Sequence, residues 1–182
     1  MYFDNADFDS YLENLSGASY REKNRLRWYG DLASASEFTF ETKIKKNKIG
    51  WKVQEKFSNE KLLSKSQHEV VSSITQKVSE ESRLSFELAD VIVLANSYFR
   101  EYFVSRCGFV RITIDSALRV FDQSGFRQLN FHFDSPLSDI HIVEVKYLRS
   151  SLDEGRQAIS DIPFTSSRAS KYCIGLQSIF GF

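Results

Sequence analysis

Side chains alternate across a β-strand, so residues two apart share a face. In six stretches of this 182-residue chain one parity is charged and the other apolar. Arg21, Lys23, Arg25 and Arg27 share one parity, while Tyr20, Leu26 and Trp28 take the other. Glu41, Lys43 and Lys45 oppose Phe38, Phe40 and Ile44; Lys52, Gln54 and Lys56 oppose Trp51, Val53 and Phe57. Farther on, Arg100 lies between Tyr98 and Tyr102. Arg111, Thr113 and Asp115 oppose Val110, Ile112 and Ile114, and Glu144 and Lys146 oppose Val143, Val145 and Tyr147. A period of two repeated this often restricts the chain to strands, most simply of an antiparallel sheet with one charged face.

Such a face is either the solvated side of a sheet or a surface made for a polyanion, and parity alone leaves both open. The signs favour the second. These faces hold at least ten Lys or Arg against three acids, Glu41, Asp115 and Glu144, whereas a surface tuned for solubility mixes signs. Like charges on neighbouring strands repel unless a polyanion or counter-charges lie among them. Closing the sheet into a barrel with the charges inside gives a lumen suited to a polyanion. Arg25, Arg27, Arg100 and Arg111 suit phosphate, because a guanidinium fork donates two parallel hydrogen bonds. Glu41 and Asp115 are expected in internal ion pairs. Glu144, beside Lys146, has the alternative of holding a divalent cation that bridges phosphate oxygens. His68, His132 and His141 have no pairing that suggests a transition-metal site.

The rest of the pattern supplies helices. Asp4 or Asn5 is placed to cap a helix carrying Phe8, Tyr11, Leu12 and Leu15 and stopped by Gly17. Strands are expected in three runs between Ser19 and Phe57, broken near Gly30 to Ser36 and at Asn47 to Gly50. Helical spacing then links Leu62, Leu63, Val70, Val71, Ile74 and Val78 and continues past Glu80 and Glu81 toward Leu94. Alternation returns in residues 97–104, 109–121 and 140–148. Two helices follow, beginning near Ser151 and Ser170, the second carrying Tyr172, Leu176, Ile179 and Phe180 toward the core. The sum is an α+β fold rich in antiparallel strands.

With 42% hydrophobic residues, only two prolines and no repeat or linker, residues 1–182 read as a single domain. Lys plus Arg equal Asp plus Glu at 24 each, so affinity for a polyanion must come from the arrangement of charge and not its total. Cys107 and Cys173 lack metal-ligand spacing and are expected as reduced thiols. No apolar run approaches the roughly 20 residues of a membrane span. Asp4, Asp7 and Asp9 stand where a secretory leader has a basic start, so a cytoplasmic location is expected.

Six motifs in order, Arg25-Leu26-Arg27-Trp28-Tyr29-Gly30, Glu41-Thr42-Lys43, Tyr98-Phe99-Arg100, Val110 to Asp115, Val143-Glu144-Val145-Lys146 and Ser170-Lys171-Tyr172, span most of the chain. Together they resemble the VTC domain, a branch of the triphosphate tunnel metalloenzyme superfamily with CYTH-like architecture. The resemblance implies an antiparallel β-tunnel with flanking helices. It also implies transfer of the γ-phosphoryl group of ATP onto a growing polyphosphate chain, assisted by Mn2+ or Mg2+. On matching positions it implies phosphate contacts from Arg25, Arg27, Lys43, Lys52, Arg100, Arg111, Lys146 and Lys171, a hydroxyl from Ser170 and a metal carboxylate at Glu144. Arg168, three residues before Lys171, is expected to guard the tunnel end.

Phosphoryl transfer of this kind needs in-line positioning and charge neutralisation, and the acceptor phosphate attacks directly, so no Ser-His-Asp array is required. Members of the family begin with a further strand ahead of the Tyr-Phe-Asp sequence, which here is Tyr2-Phe3-Asp4. The expectation is therefore a domain lacking its first strand, with an unpaired edge and poor activity. Two other functions are weighed. A tunnel-type triphosphatase calls for more inward carboxylates than this chain shows, and a non-catalytic polyphosphate-binding module is separated from both enzymes by binding without turnover. Nucleic acid is not expected as a partner, since the charged parity shows no set of base-stacking aromatics. A membrane-associated partner is left open.

Overall fold

The computed structural model describes residues 1–137, 139–160 and 162–181. Its strands are β1 (Tyr2–Asp4), β2 (Tyr20–Arg27), β3 (Glu37–Lys46), β4 (Ile49–Ser58), β5 (Val91–Val104), β6 (Val110–Asp122), β7 (Ser135–Leu137) and β8 (Ile142–Tyr147). Its α-helices are α1 (Asp9–Ser16), α2 (Gln67–Thr75), α3 (Glu80–Glu87), α4 (Leu152–Ser160) and α5 (Lys171–Phe180). The strands form one eight-stranded sheet in the order β4-β3-β2-β1-β5-β6-β7, with β8 also paired to β6. Every described register is antiparallel. The α+β class expected from parity is therefore the one found. The strand order does not return on itself, so the pairings among the described residues do not close a barrel. Among the described residues no helix is long and apolar enough to cross a membrane.

Contacts divide the chain into two compact units. One comprises Met1–Ala95, Phe121–Asp134 and Tyr172–Phe182, and the other Asn96–Val120 and Ser135–Lys171. In the first, β2, β3 and β4 form a continuous meander. The β3–β4 hairpin turns at Asn47, whose φ of 55° is a left-handed conformation that asparagine tolerates. The apolar parity builds the core. Leu26, Phe38 and Phe40 are buried with Phe3, Val70, Ile74 and Phe86. Phe3, Phe40 and Phe86 meet edge to face, with centroids 5.0 to 5.9 Å apart. Two polar exceptions to that parity, Asn24 and Glu55, are tied to the helices or neighbouring strands, the latter through Oε1 alone. Asn24 donates to the Ser85 carbonyl and accepts from the Thr42 hydroxyl, and Glu55 accepts from the backbone N–H and hydroxyl of Ser79 at the start of α3.

The helix at the amino end begins later than the sequence suggested. Phe8, in a left-handed conformation, occupies the cap position of α1, yet Asp4 still does the capping chemistry from β1. Its carboxylate is fully buried and accepts from the backbone N–H groups of Asn5, Ser10 and Tyr11 and from the Tyr172 hydroxyl of α5. Burial, then the Asp4 carboxylate, raise the Tyr172 phenol above its ordinary value, which keeps it a proton donor. One acid thus ties β1, α1 and α5 together.

Two further boundaries differ from the sequence reading. Residues 91–95, expected to continue a helix toward Leu94, open β5 instead. A short, wholly apolar run fits a buried strand as well as a helix, and pairing with β1 decides it. Phe180, expected in the core, is 37% exposed and rests on Phe8 with centroids 5.4 Å apart. In the second unit β6 carries both β7, a three-residue strand around Pro136, and β8. There α4 packs so closely on β8 that a Cβ at Gly155 would clash with the Tyr147 ring.

Replacing Asp4 by alanine strips four donors of their acceptor in a site without water access, so the Asp4→Ala protein is expected to lose about 3 kcal/mol of stability. Urea unfolding of the variant against wild type checks this, and Asp4→Asn, which keeps an acceptor oxygen, is expected to lose less.

Candidate functional site

In the first unit the strand registers convert sequence parity into rows of facing side chains. Arg25 on β2 stands opposite Glu41 on β3, which stands opposite Gln54 on β4. The neighbouring row is Lys23, Lys43 and Lys52. Glu41 is 2% exposed although it lies on the charged face. Its carboxylate accepts from Arg25 Nε and from Gln54 Nε2, and Arg27 and Lys52 each approach to 3.6 Å. Burial pushes the Glu41 carboxyl up, but Arg25, with Arg27 and Lys52, outweighs it and holds the group below its ordinary value. Arg27 Nε is buried and has no hydrogen-bond partner among the described residues. The site therefore has one committed anion and surplus cations.

The second unit repeats the scheme with different residues. Asp115 on β6, 2% exposed, receives Arg100 in a bidentate fork, Nε to Oδ1 at 2.5 Å and a terminal nitrogen to Oδ2 at 2.6 Å, and also an ion pair from Lys171 at the start of α5. Tyr98 and Tyr102 stack on the Arg100 guanidinium at 5.2 and 5.8 Å, and Lys171 lies 4.5 Å from the Tyr98 ring centre. Burial opposes ionisation of Asp115, but hydrogen bonds from Arg100 and Lys171 hold its carboxyl below the ordinary value. Burial also lowers the Lys171 ammonium, against the pull of Asp115. On the adjoining strands Arg111 faces Lys146 and Thr113 faces Glu144. The Thr113 hydroxyl is buried and without a hydrogen-bond partner among the described residues.

The sequence-derived residues are thus distributed. Arg25, Arg27, Lys43 and Lys52 share one face of the first unit. Arg100 and Lys171 meet on Asp115 in the second, and Arg111 and Lys146 are cross-strand neighbours there. Ser170 immediately precedes α5, and Arg168 lies exposed on the irregular segment ahead of it. The expected internal ion pairs of Glu41 and Asp115 are present. Sequence reasoning had not assigned a role to Gln54, or to the tyrosines that hold Arg100. Tyr98 and Tyr102 share the parity of Arg100, so the charged face does carry aromatics, contrary to expectation, and parity was the signal that located them.

Glu144 is exposed and pairs with Lys146 at 3.0 Å. No group of three His, Cys, Asp or Glu side chains suited to a metal occurs among the described residues. A lone carboxylate fits a hard cation that takes most of its ligands from substrate phosphates and water, and does not fit an all-protein cage. Cys107 and Cys173 are free thiols, as expected.

The charged strand faces of this antiparallel α+β chain each enclose a neutralised carboxylate among several Arg and Lys side chains. The sequence model of the VTC domain matches residues 1–180, and the chain belongs to the VTC domain family. That membership is consistent with a polyphosphate-related function. A comparison with curated proteins finds no match.

Because their folded carboxyls lie below the ordinary values of 4.5 and 3.8, Glu41 and Asp115 add stability that is present above those values and lost as pH falls through the folded ones. Glu41→Gln is expected to cost about 2 kcal/mol at pH 7, less than a fully buried pair because Arg25 and Lys52 keep contact with water. Urea midpoints at pH 7 and pH 3 check the sign: the gap between wild type and variant narrows in acid.

Proposed function

We propose that this VTC domain is a polyphosphate polymerase, transferring the γ-phosphoryl group of ATP onto a growing inorganic polyphosphate chain and releasing ADP. The observation that supports it is the burial of two carboxylates within the charged faces. The two carboxylates most deeply set among the cations, Glu41 and Asp115, are each 2% exposed and already committed to Arg and Lys. A merely solvated face has no reason to bury its acids, and a face that binds and neutralises phosphate does.

The chemistry asks little of the protein beyond position and charge. A terminal phosphate oxygen of the chain attacks the γ-phosphorus in line. One P–O bond forms as the bond to the departing ADP oxygen breaks, and no protein nucleophile intervenes. Arg25 and Arg27 in the first unit, and Arg100 and Arg111 in the second, each donate to phosphate oxygens of the kind on which charge is spread in the transition state. Lys43, Lys52, Lys146, Lys171, Ser170 and Arg168 bind the flanking phosphates. The fork of Arg100 on Asp115 and its stacking on two tyrosines fix the guanidinium before substrate arrives. Glu144 would hold the Mn2+ or Mg2+ ion, which supplies neutralisation of phosphate oxygens.

With Glu41 and Asp115 engaged by cations, few carboxylates remain to activate water, which favours transfer to phosphate over hydrolysis. Incubation with ATP and Mn2+ is expected to yield ADP and a lengthening polymer at a low rate, in keeping with the poor activity expected above. Arg111→Ala, an exposed position outside the core, is expected to lower kcat/KM by about 10²–10³-fold. Free phosphate without polymer identifies a triphosphatase instead, and binding without turnover identifies a non-catalytic module.

A further inference from the structure

Thr113 stands on the charged face of β6 between Arg111 and Asp115, and by register it faces Glu144 of β8. All four residues belong to the second unit. Thr113 is 7% exposed, and its hydroxyl is buried without a hydrogen-bond partner among the described residues. The acids beside it on this face are engaged elsewhere. Asp115 takes the Arg100 fork and the Lys171 ion pair, and Glu144, though directly opposite, pairs with Lys146 at 3.0 Å.

Burying a hydroxyl without a partner costs stability, and folding alone gives no reason to keep one there. Valine has the same shape and the same suitability for strands, and would fill the position with no polar atom left over. An acceptor that arrives from outside explains the hydroxyl, and its neighbours define that acceptor. Arg111, two residues away and so roughly 7 Å along the strand, is exposed. Lys146 faces Arg111 across the register and is exposed too. A group that accepts from a hydroxyl and is drawn to two cations is an anion with several oxygens, as a phosphate is.

We propose that Thr113 is a further phosphate-contacting residue, whose hydroxyl donates to an oxygen of the phosphate held by Arg111 and Lys146. This rests on the phosphate-binding reading of the charged faces. Arg111, Lys146 and Glu144 are long, exposed side chains. An arriving anion draws the two cations toward itself and repels Glu144, which opens the way to the hydroxyl. The unpaired hydroxyl destabilises the free protein and is satisfied in the complex, so its removal moves stability and affinity in opposite directions. A purely structural hydroxyl behaves otherwise, since its loss lowers stability and leaves affinity alone.

The test pairs two measurements on the whole chain: calorimetric titration with inorganic tripolyphosphate, without metal at pH 7 in low salt, and urea unfolding of the unliganded proteins. Thr113→Val is expected to bind about 10- to 100-fold more weakly than wild type, the loss of one hydrogen bond to a charged group, while its urea midpoint stays equal or rises. Thr113→Ser keeps the hydroxyl and is expected to bind within about threefold of wild type. If Thr113→Val binds as tightly as wild type, or Thr113→Ser loses as much affinity as Thr113→Val, the hydroxyl is no ligand contact. The inference is then overturned while phosphate binding stands. A lower urea midpoint for Thr113→Val also overturns it, because the hydroxyl then has a structural partner in the free protein. If wild type itself does not bind tripolyphosphate, the phosphate-binding reading fails and this inference with it.

Discussion

Repulsion among cations that share a strand face sets the terms for the rest of this molecule. The register of β2, β3 and β4 forces Lys23, Lys43 and Lys52 into line and leaves Arg21, Arg25 and Arg27 beside them. Such a face folds because Glu41 is buried in its midst and accepts from or pairs with Arg25, Arg27, Lys52 and Gln54. Asp115 does the same for Arg100 and Lys171. In both units the neutralisation is incomplete: one carboxylate serves several cations, and polar atoms such as Arg27 Nε and the Thr113 hydroxyl stay buried without hydrogen-bond partners among the described residues. A surface so arranged is stable enough to form, and on the proposed function a bound polyanion stabilises it further.

The apolar faces supply the rigidity that this requires. Phe3, Phe40 and Phe86 interlock in the first unit, and the Asp4 carboxylate draws β1, α1 and α5 to one point. Rigid placement serves the proposed phosphoryl transfer, a reaction that gains from geometry already set before the substrate binds. The Arg100 guanidinium, held by Asp115 in a fork and by Tyr98 and Tyr102 on its faces, illustrates that setting.

Much of this was legible in the sequence because period-two alternation is a direct image of strand faces. The runs around Arg25, Lys43, Lys52, Arg111 and Lys146 emerged as strands with their charges on shared faces, and Glu41 and Asp115 emerged in ion pairs. Residues 91–95 were misread because Ile92, Val93, Leu94 and Ala95 are buried on both faces, which erases the alternation that distinguishes strand from helix. Ser135–Leu137 escaped notice because three residues around a proline carry no periodicity. The capping role of Asp4 was legible as chemistry but not as position, since the carboxylate reaches α1 from a strand. Stacking of Tyr98 and Tyr102 on Arg100 was visible only as shared parity, whose meaning depended on knowing the fold.

The central claim is that the charged strand faces, and not the basic surface in general, are where polyphosphate binds. Lysine footprinting by acylation and mass spectrometry, with and without polyphosphate, tests it most directly. The account predicts protection of Lys43, Lys52, Lys146 and Lys171, with Lys48, Lys61 and Lys77 reacting as before. Equal protection of all lysines, or none on the strand faces, would contradict it.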